Sequence, residues 1–192
     1  MGDVPIQTRK WTRVEYDRLV ECDILGPDDK IELLGGDMIV KEPQYSPHTT
    51  GIRLVARTLE RALGEGWDVR SQAPVALDDD SEPEPDVSVV RGDPRDYTNA
   101  HPTRPVLVVE VSLSRLGFDR GRKGSLYARA GLADYWIVNI PDRRLEVYRD
   151  PVPDAAARYG WRYGTVVTLE PDRRIAPLGA PAADVLVADL LP

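Results

Sequence analysis

Two carboxylates sit among residues that favour strands. Glu110 lies inside the run Val106-Leu107-Val108-Val109-Glu110-Val111, and Asp86 opens Pro85-Asp86-Val87-Ser88-Val89-Val90. An ionised carboxylate in apolar surroundings loses much of its solvation, so each must find a cationic partner or a metal ion. Two acids on neighbouring strand-like segments point to a shared metal ion. Beyond them Asp119, Lys123 and Tyr127 recur at every fourth position, which places all three on one helix face.

Other chemistries lack their residues. Ser112 and Ser114 have no glycine elbow, neither histidine belongs to a recognisable triad, and there is no glycine-rich phosphate loop. Cys22 is the single cysteine, which rules out an internal disulfide; it has no Cys or His neighbour at zinc-ligand spacing, and this agrees with a reducing compartment. The acidic stretch 78–86 has neither the central glycine nor the closing glutamate of an EF-hand. It is expected to be a solvated loop, Asp86 excepted.

The elements that must position these residues are legible in outline. Thr12-Arg13-Val14-Glu15 has capping-box spacing and predicts a short helix near 12–22, ending before Gly26-Pro27. Ile31 to Leu34 and Met38 to Val40 flank Gly35-Gly36-Asp37 and predict a hairpin. Apolar residues at helical intervals predict a helix over 47–63, closed by Gly64 and Gly66. Strands are expected at about 67–77, broken at Pro74, then at 86–91 and 105–113, the last central in its sheet. A helix follows from Asp119 to Ala130, stopped by Gly131. A hairpin around Pro141-Asp142 comes next, and Tyr163 to Leu169 can add a peripheral strand.

At 192 residues, with 42% hydrophobic and 30% charged side chains, the chain suits one soluble domain spanning 1–192. No run is long and apolar enough for a membrane span, and Met1 to Ile6 carries no secretory or myristoylation pattern, so a cytoplasmic location is expected. The net charge of −7 means that any nucleic-acid contact depends on local basic clusters.

A family resemblance joins these features. Glu32 in a hairpin, His48 opening a helix, Pro85-Asp86, Val109-Glu110-Val111-Ser112 and the segment Lys123-Gly-Ser-Leu-Tyr-Ala-Arg-Ala-Gly-Leu-Ala-Asp-Tyr-Trp-Ile-Val138 together resemble the Uma2 family of the PD-(D/E)xK nuclease superfamily. The likeness runs over about 12–150, with 151–192 as a peripheral C-terminal extension. It implies an α/β restriction-endonuclease-like fold: a central mixed β-sheet flanked by helices, with an N-terminal β-hairpin and a metal site at one end. Asp86 matches the Asp of the motif and Glu110 its central acid. Ser112 stands where the parent pattern has lysine, and the resemblance passes that role to Lys123.

The implied activity is hydrolysis of DNA phosphodiester bonds with Mg²⁺ or Mn²⁺. Asp86, Glu110, Glu32 and the Val111 backbone would be ligands, and Lys123 would orient water or offset charge. His48 and Tyr127 are accessory candidates. Arg53, Arg57 and Arg61 along one helix face, with Arg115, Arg120 and Arg122 near Lys123, are candidate DNA contacts, and a homodimer is expected by analogy.

Each residue also has a plainer reading. Glu110 and Lys123 would form a buried ion pair, Asp86 a strand-start cap, Glu32 an exposed charge and His48 an ordinary first-turn residue. Tyr127 would pack beneath the site, Asp119 would be a helix-dipole acid and the arginines solvated faces. The chain would then be a catalytically silent interaction module.

Overall fold

Local sequence sets the first elements. The Thr12 hydroxyl accepts from the Glu15 backbone N–H at 3.3 Å, and the Glu15 carboxylate accepts from the Thr12 N–H at 3.0 Å, so the capping box starts helix α1 (Arg13–Glu21). Gly35 and Gly36, at φ of 58° and 75°, make the turn between β1 (Ile31–Leu34) and β2 (Asp37–Val40). Helix α2 (Ser46–Leu63) has Pro47 in its first turn and stops at Gly64. This computed structural model describes residues 8–26, 28–41 and 43–192. The readings of Met1 to Ile6 and of Pro27 fall outside the described residues.

The main sheet has six strands: β3 (Trp67–Ser71), β4 (Val87–Arg91), β5 (Leu107–Ser112), β6 (Asp134–Asn139), β7 (Arg144–Pro153) and β8 (Trp161–Leu169), adjacent in that order. Only β5 and β6 are parallel. A parallel pair needs a crossover, and here it is the helical segment formed by α3 (Leu116–Phe118), a π-helical turn (Asp119–Lys123) and α4 (Gly124–Arg129). One sheet face packs Val109 and Val111 against Ile52, Val55 and Leu59 of α2. The other packs Val108, Tyr135 and Ile137 against Tyr127 and Ala128 of α4. β5 is buried on both faces, as its apolar run requires.

Four expectations need correction. The strand beginning at Trp67 ends at Ser71, because Gln72 turns to a φ of 50° two residues before Pro74. The crossover helix starts at Leu116 rather than Asp119 and holds a π turn, whose extra residue per turn is accommodated where the Gly124 N–H reaches the Asp119 carbonyl.

The stretch 78–86 is not a solvated loop. Ser81 and Glu82 are buried, Asp78 and Asp80 pair with Arg129, and the Leu33 and Glu82 backbones bond to each other. Asp78, Asp80, Glu82, Glu84 and Asp86 are matched by cations or hydrogen bonds from other segments, which composition alone does not reveal, while Asp79 stays exposed.

Nor is 151–192 peripheral. β8 belongs to the main sheet, β9 (Arg174–Ile175) pairs with β10 (Val185–Leu186), and Val185 of β10 with Val187, Leu190 and Leu191 beyond it is buried in the core under α2. Apolar residues spaced among prolines and alanines hid that burial from a periodicity reading.

Candidate active site

The antiparallel register of β4 and β5 pairs Val87 with Val109, so the next positions outward, Asp86 and Glu110, meet at the sheet's end. The Asp86 N–H donates to Glu110 Oε2 at 3.4 Å, and Asp86 Oδ2 accepts from the Val111 N–H at 2.8 Å. His48, in the first turn of α2, brings Nε2 to 3.1 Å from the same oxygen. That approach depends on Gly51, one turn on, because a Cβ there would lie 2.7 Å from Val111 Cγ1.

The crossover supplies the cation. Because the segment leaving β5 must return over the sheet to reach β6, its π turn lies above Glu110. Lys123 Nζ donates to Glu110 Oε1 at 2.9 Å and lies 3.4 Å from Glu32 Oε2. The Tyr127 hydroxyl, one turn further, donates to the same Glu110 oxygen at 2.8 Å. Glu32 is held in turn by the Glu84 N–H at 3.1 Å. Glu32, His48, Asp86, Glu110 and Lys123 line a pocket of about 100 Å³, with Ser112, Arg115, Phe118 and Asp119 on its wall and Lys41, ion-paired to Glu84 at 2.8 Å, at its rim.

Burial and crowding dominate the electrostatics. Glu110 is 3% exposed, and desolvation pushes its pKa up to about 8; the nearby carboxylates add to the rise, while Lys123 opposes it. Asp119 is raised by the same desolvation, with Lys123 and the Ser112 hydroxyl pulling the other way. For Lys123, burial favours loss of the proton, but Glu110, Glu32, Asp119 and Asp86 together hold the ammonium well above its ordinary pKa. His48 is raised by its hydrogen bond to Asp86. Burial, followed by Glu110, keeps the Tyr127 hydroxyl protonated.

The predicted residues fall into two groups. Asp86, Glu110, Lys123, Glu32, Val111, His48 and Tyr127 come together. Glu32 is 2% exposed, so its reading as an outward hairpin charge is corrected: β1 turns it beneath the 78–86 segment. Five of the six candidate arginines do not join them. Arg53, Arg57 and Arg61 are exposed and lie on the side of α2 away from His48, as 100° per residue requires. Arg120 forks onto Glu146 of β7, and Arg122 bonds to Asp37 and Tyr159, so both serve the scaffold. Arg115 does line the pocket and lies over the Phe118 ring at 5.4 Å. Lys41 and Glu84 went unnoticed at the rim. Nothing in their local sequence marks them, since only the docking of the β1–β2 hairpin brings them there.

Among the described residues, no three imidazole, thiol or carboxylate groups form a ready-made metal cage. The donors still suit a hard divalent cation in kind. Asp86 and Glu110 face the pocket, and the Val111 carbonyl leaves β5 on the same edge as the N–H that meets Asp86. Mg²⁺ is commonly held by one or two carboxylates, with waters and substrate oxygens completing its shell.

Comparison with known proteins agrees with this fold. The Uma2 family model, described as "Putative restriction endonuclease", matches residues 13–185. A crystal structure described as that of a putative nuclease belonging to DUF820 from Anabaena variabilis ATCC 29413 superposes with a TM-score of 0.67 at 15% identity, covering 88% of this chain and 94% of that one. No curated protein matches the chain.

Proposed function

The chain belongs to the Uma2 family, and on that footing we propose that it is a divalent-metal-dependent endonuclease that hydrolyses DNA phosphodiester bonds at Asp86, Glu110 and Lys123. One observation carries the reading. Glu32, Asp86, Glu110 and Asp119 crowd one pocket where Lys123 is the one buried ammonium among the described residues. Such an excess of buried negative charge must be balanced by protons or by a bound cation.

Mg²⁺ or Mn²⁺, when bound, supplies the charge that polarises a phosphodiester and acidifies a water. Asp86 and Glu110 are the proposed ligands, with the Val111 carbonyl beside them and Glu32 as a third carboxylate. Tyr127 and Lys123 fix the Glu110 carboxylate by donating to one of its oxygens. His48 and the Val111 N–H fix Asp86 in the same way. Lys123 remains cationic and offsets charge that builds on the phosphate. DNA affinity is modest and salt-sensitive, given the net charge of −7.

A second reading rests on a specific observation. Glu110 already accepts from Lys123, Tyr127 and the Asp86 N–H, so the cluster is satisfied as a structural network without any ion. A silent interaction module would have this arrangement. Calorimetric titration with Mg²⁺ or Mn²⁺ separates the two. Binding that vanishes in Asp86→Ala supports the nuclease, and no binding by the wild type supports the module.

A further inference from the structure

The two edges of the main sheet are built differently. β3 is five residues long and carries Asp68 and Arg70, which blunt it against further pairing. β8 runs nine residues and, among the described residues, pairs only with β7, and its stretch Tyr163-Gly-Thr-Val-Val-Thr-Leu169 contains no charge and no proline. Gly164 to Thr168 are exposed in succession, so neither face of the strand is covered there; Val166 is 51% and Val167 44% exposed. Alternate N–H and C=O groups along such an edge point outward without a ladder partner. A long, exposed, β-branched edge of this kind is a template for another strand.

We propose that this edge is the interface of a homodimer, in which β8 pairs antiparallel with β8 of a second copy about a twofold axis at Val166. Charge selects that occupant and that register. With Val166 opposite its own counterpart, Arg162 of each copy stands opposite Glu170 of the other, once at each end of the pairing. Both side chains are more than half exposed, at 56% and 57%, each within a surface ion pair, to Asp154 and Arg144. Between those ends every facing residue is uncharged: Tyr163 meets Leu169, Gly164 meets Thr168, and Thr165 meets Val167. The chain's net charge of −7 opposes self-association elsewhere on its surface, and this strip is free of that repulsion. A twofold pairing is also self-complementary, so it closes at two copies and leaves no free edge at β8.

The test is sedimentation velocity on the full chain over a range of concentrations. The wild type is expected to sediment as a dimer of 21.4 kDa subunits. Val166→Lys sets two ammonium groups against each other on the axis and should weaken the dimer by roughly tenfold. Arg162→Glu should weaken it comparably by facing Glu170 with a like charge, and adding Glu170→Arg should restore it; thermal melts of each variant confirm that the subunit is folded. A wild type that stays monomeric throughout overturns the proposal. So does a folded Val166→Lys that dimerises as tightly as the wild type. Loss of the Val166→Lys dimer without rescue in the charge-swapped pair overturns the register.

Discussion

Lys123 is the residue on which the cluster turns. It faces Glu110 and Glu32 directly, with Asp119 and Asp86 adding to the field that holds it protonated. Lys123→Met keeps the bulk but leaves the carboxylates uncompensated. It should destabilise the protein by about 3–5 kcal/mol at pH 8, and by less at pH 5, where protons take over the neutralisation; urea midpoints at the two values read the difference. Glu110→Gln should act differently. It removes one of four crowded charges, and the ammonium retains Glu32, so stability without metal should stay within about 1 kcal/mol of wild type. Away from the site, Glu82 offers a check on pH dependence. Burial, with Asp17 and Glu84 nearby, raises it to about 7, and its nearest cation, Arg13, is 3.9 Å away. Because the folded-state pKa lies above the unfolded value, the stability it contributes is complete below about pH 4.5 and is lost as pH rises through about 7. Glu82→Gln should therefore be more stable than wild type at pH 8 by about 1–3 kcal/mol and show little difference at pH 4.5. Equal midpoints at pH 8 would contradict this assignment.

At the scale of elements, the close approach of α2 to β5 delivers His48 to Asp86. Gly51→Ala tests it. Alanine in a helix interior normally gains up to about 1 kcal/mol over glycine, but here the added methyl meets Val111 Cγ1 at 2.7 Å. The clash should win, with a net loss of about 1–3 kcal/mol in thermal or urea unfolding. Much at this scale was legible in the sequence. The Thr12–Glu15 box, the Gly35-Gly36 turn, helix α2 and the buried run of β5 all follow from local chemistry. Glu110 within β5 and Asp86 just before β4 were recognisable because a charge in or beside a β-branched run is costly. What sequence could not supply was register and docking. Glu32 reads equally well as exposed until β1 is seen bonded to Glu82, whereas helical periodicity alone already sets Arg53, Arg57 and Arg61 on the side of α2 opposite His48.

For the whole molecule, the C-terminal residues close the core that supports the site. Val185, Val187, Leu190 and Leu191 are buried together with α2 residues. Burying each such side chain contributes about 1.5–3 kcal/mol, against a typical domain stability of about 5–15 kcal/mol. A chain ending at residue 183 should therefore lose most of its stability, seen as a collapsed unfolding midpoint by circular dichroism. The weak periodicity beyond residue 150 gave no hint of this, because these residues are buried by an irregular segment rather than by a helix or a long strand. The central claim, that the carboxylate–lysine cluster is a hydrolytic site, is tested most directly by nicking of supercoiled plasmid. The wild type should relax the plasmid only when Mg²⁺ or Mn²⁺ is present, and Asp86→Asn and Glu110→Gln, both folded, should leave it supercoiled. A wild type that leaves the plasmid intact in either metal, or an Asp86→Asn variant that nicks as fast as the wild type, would contradict the account.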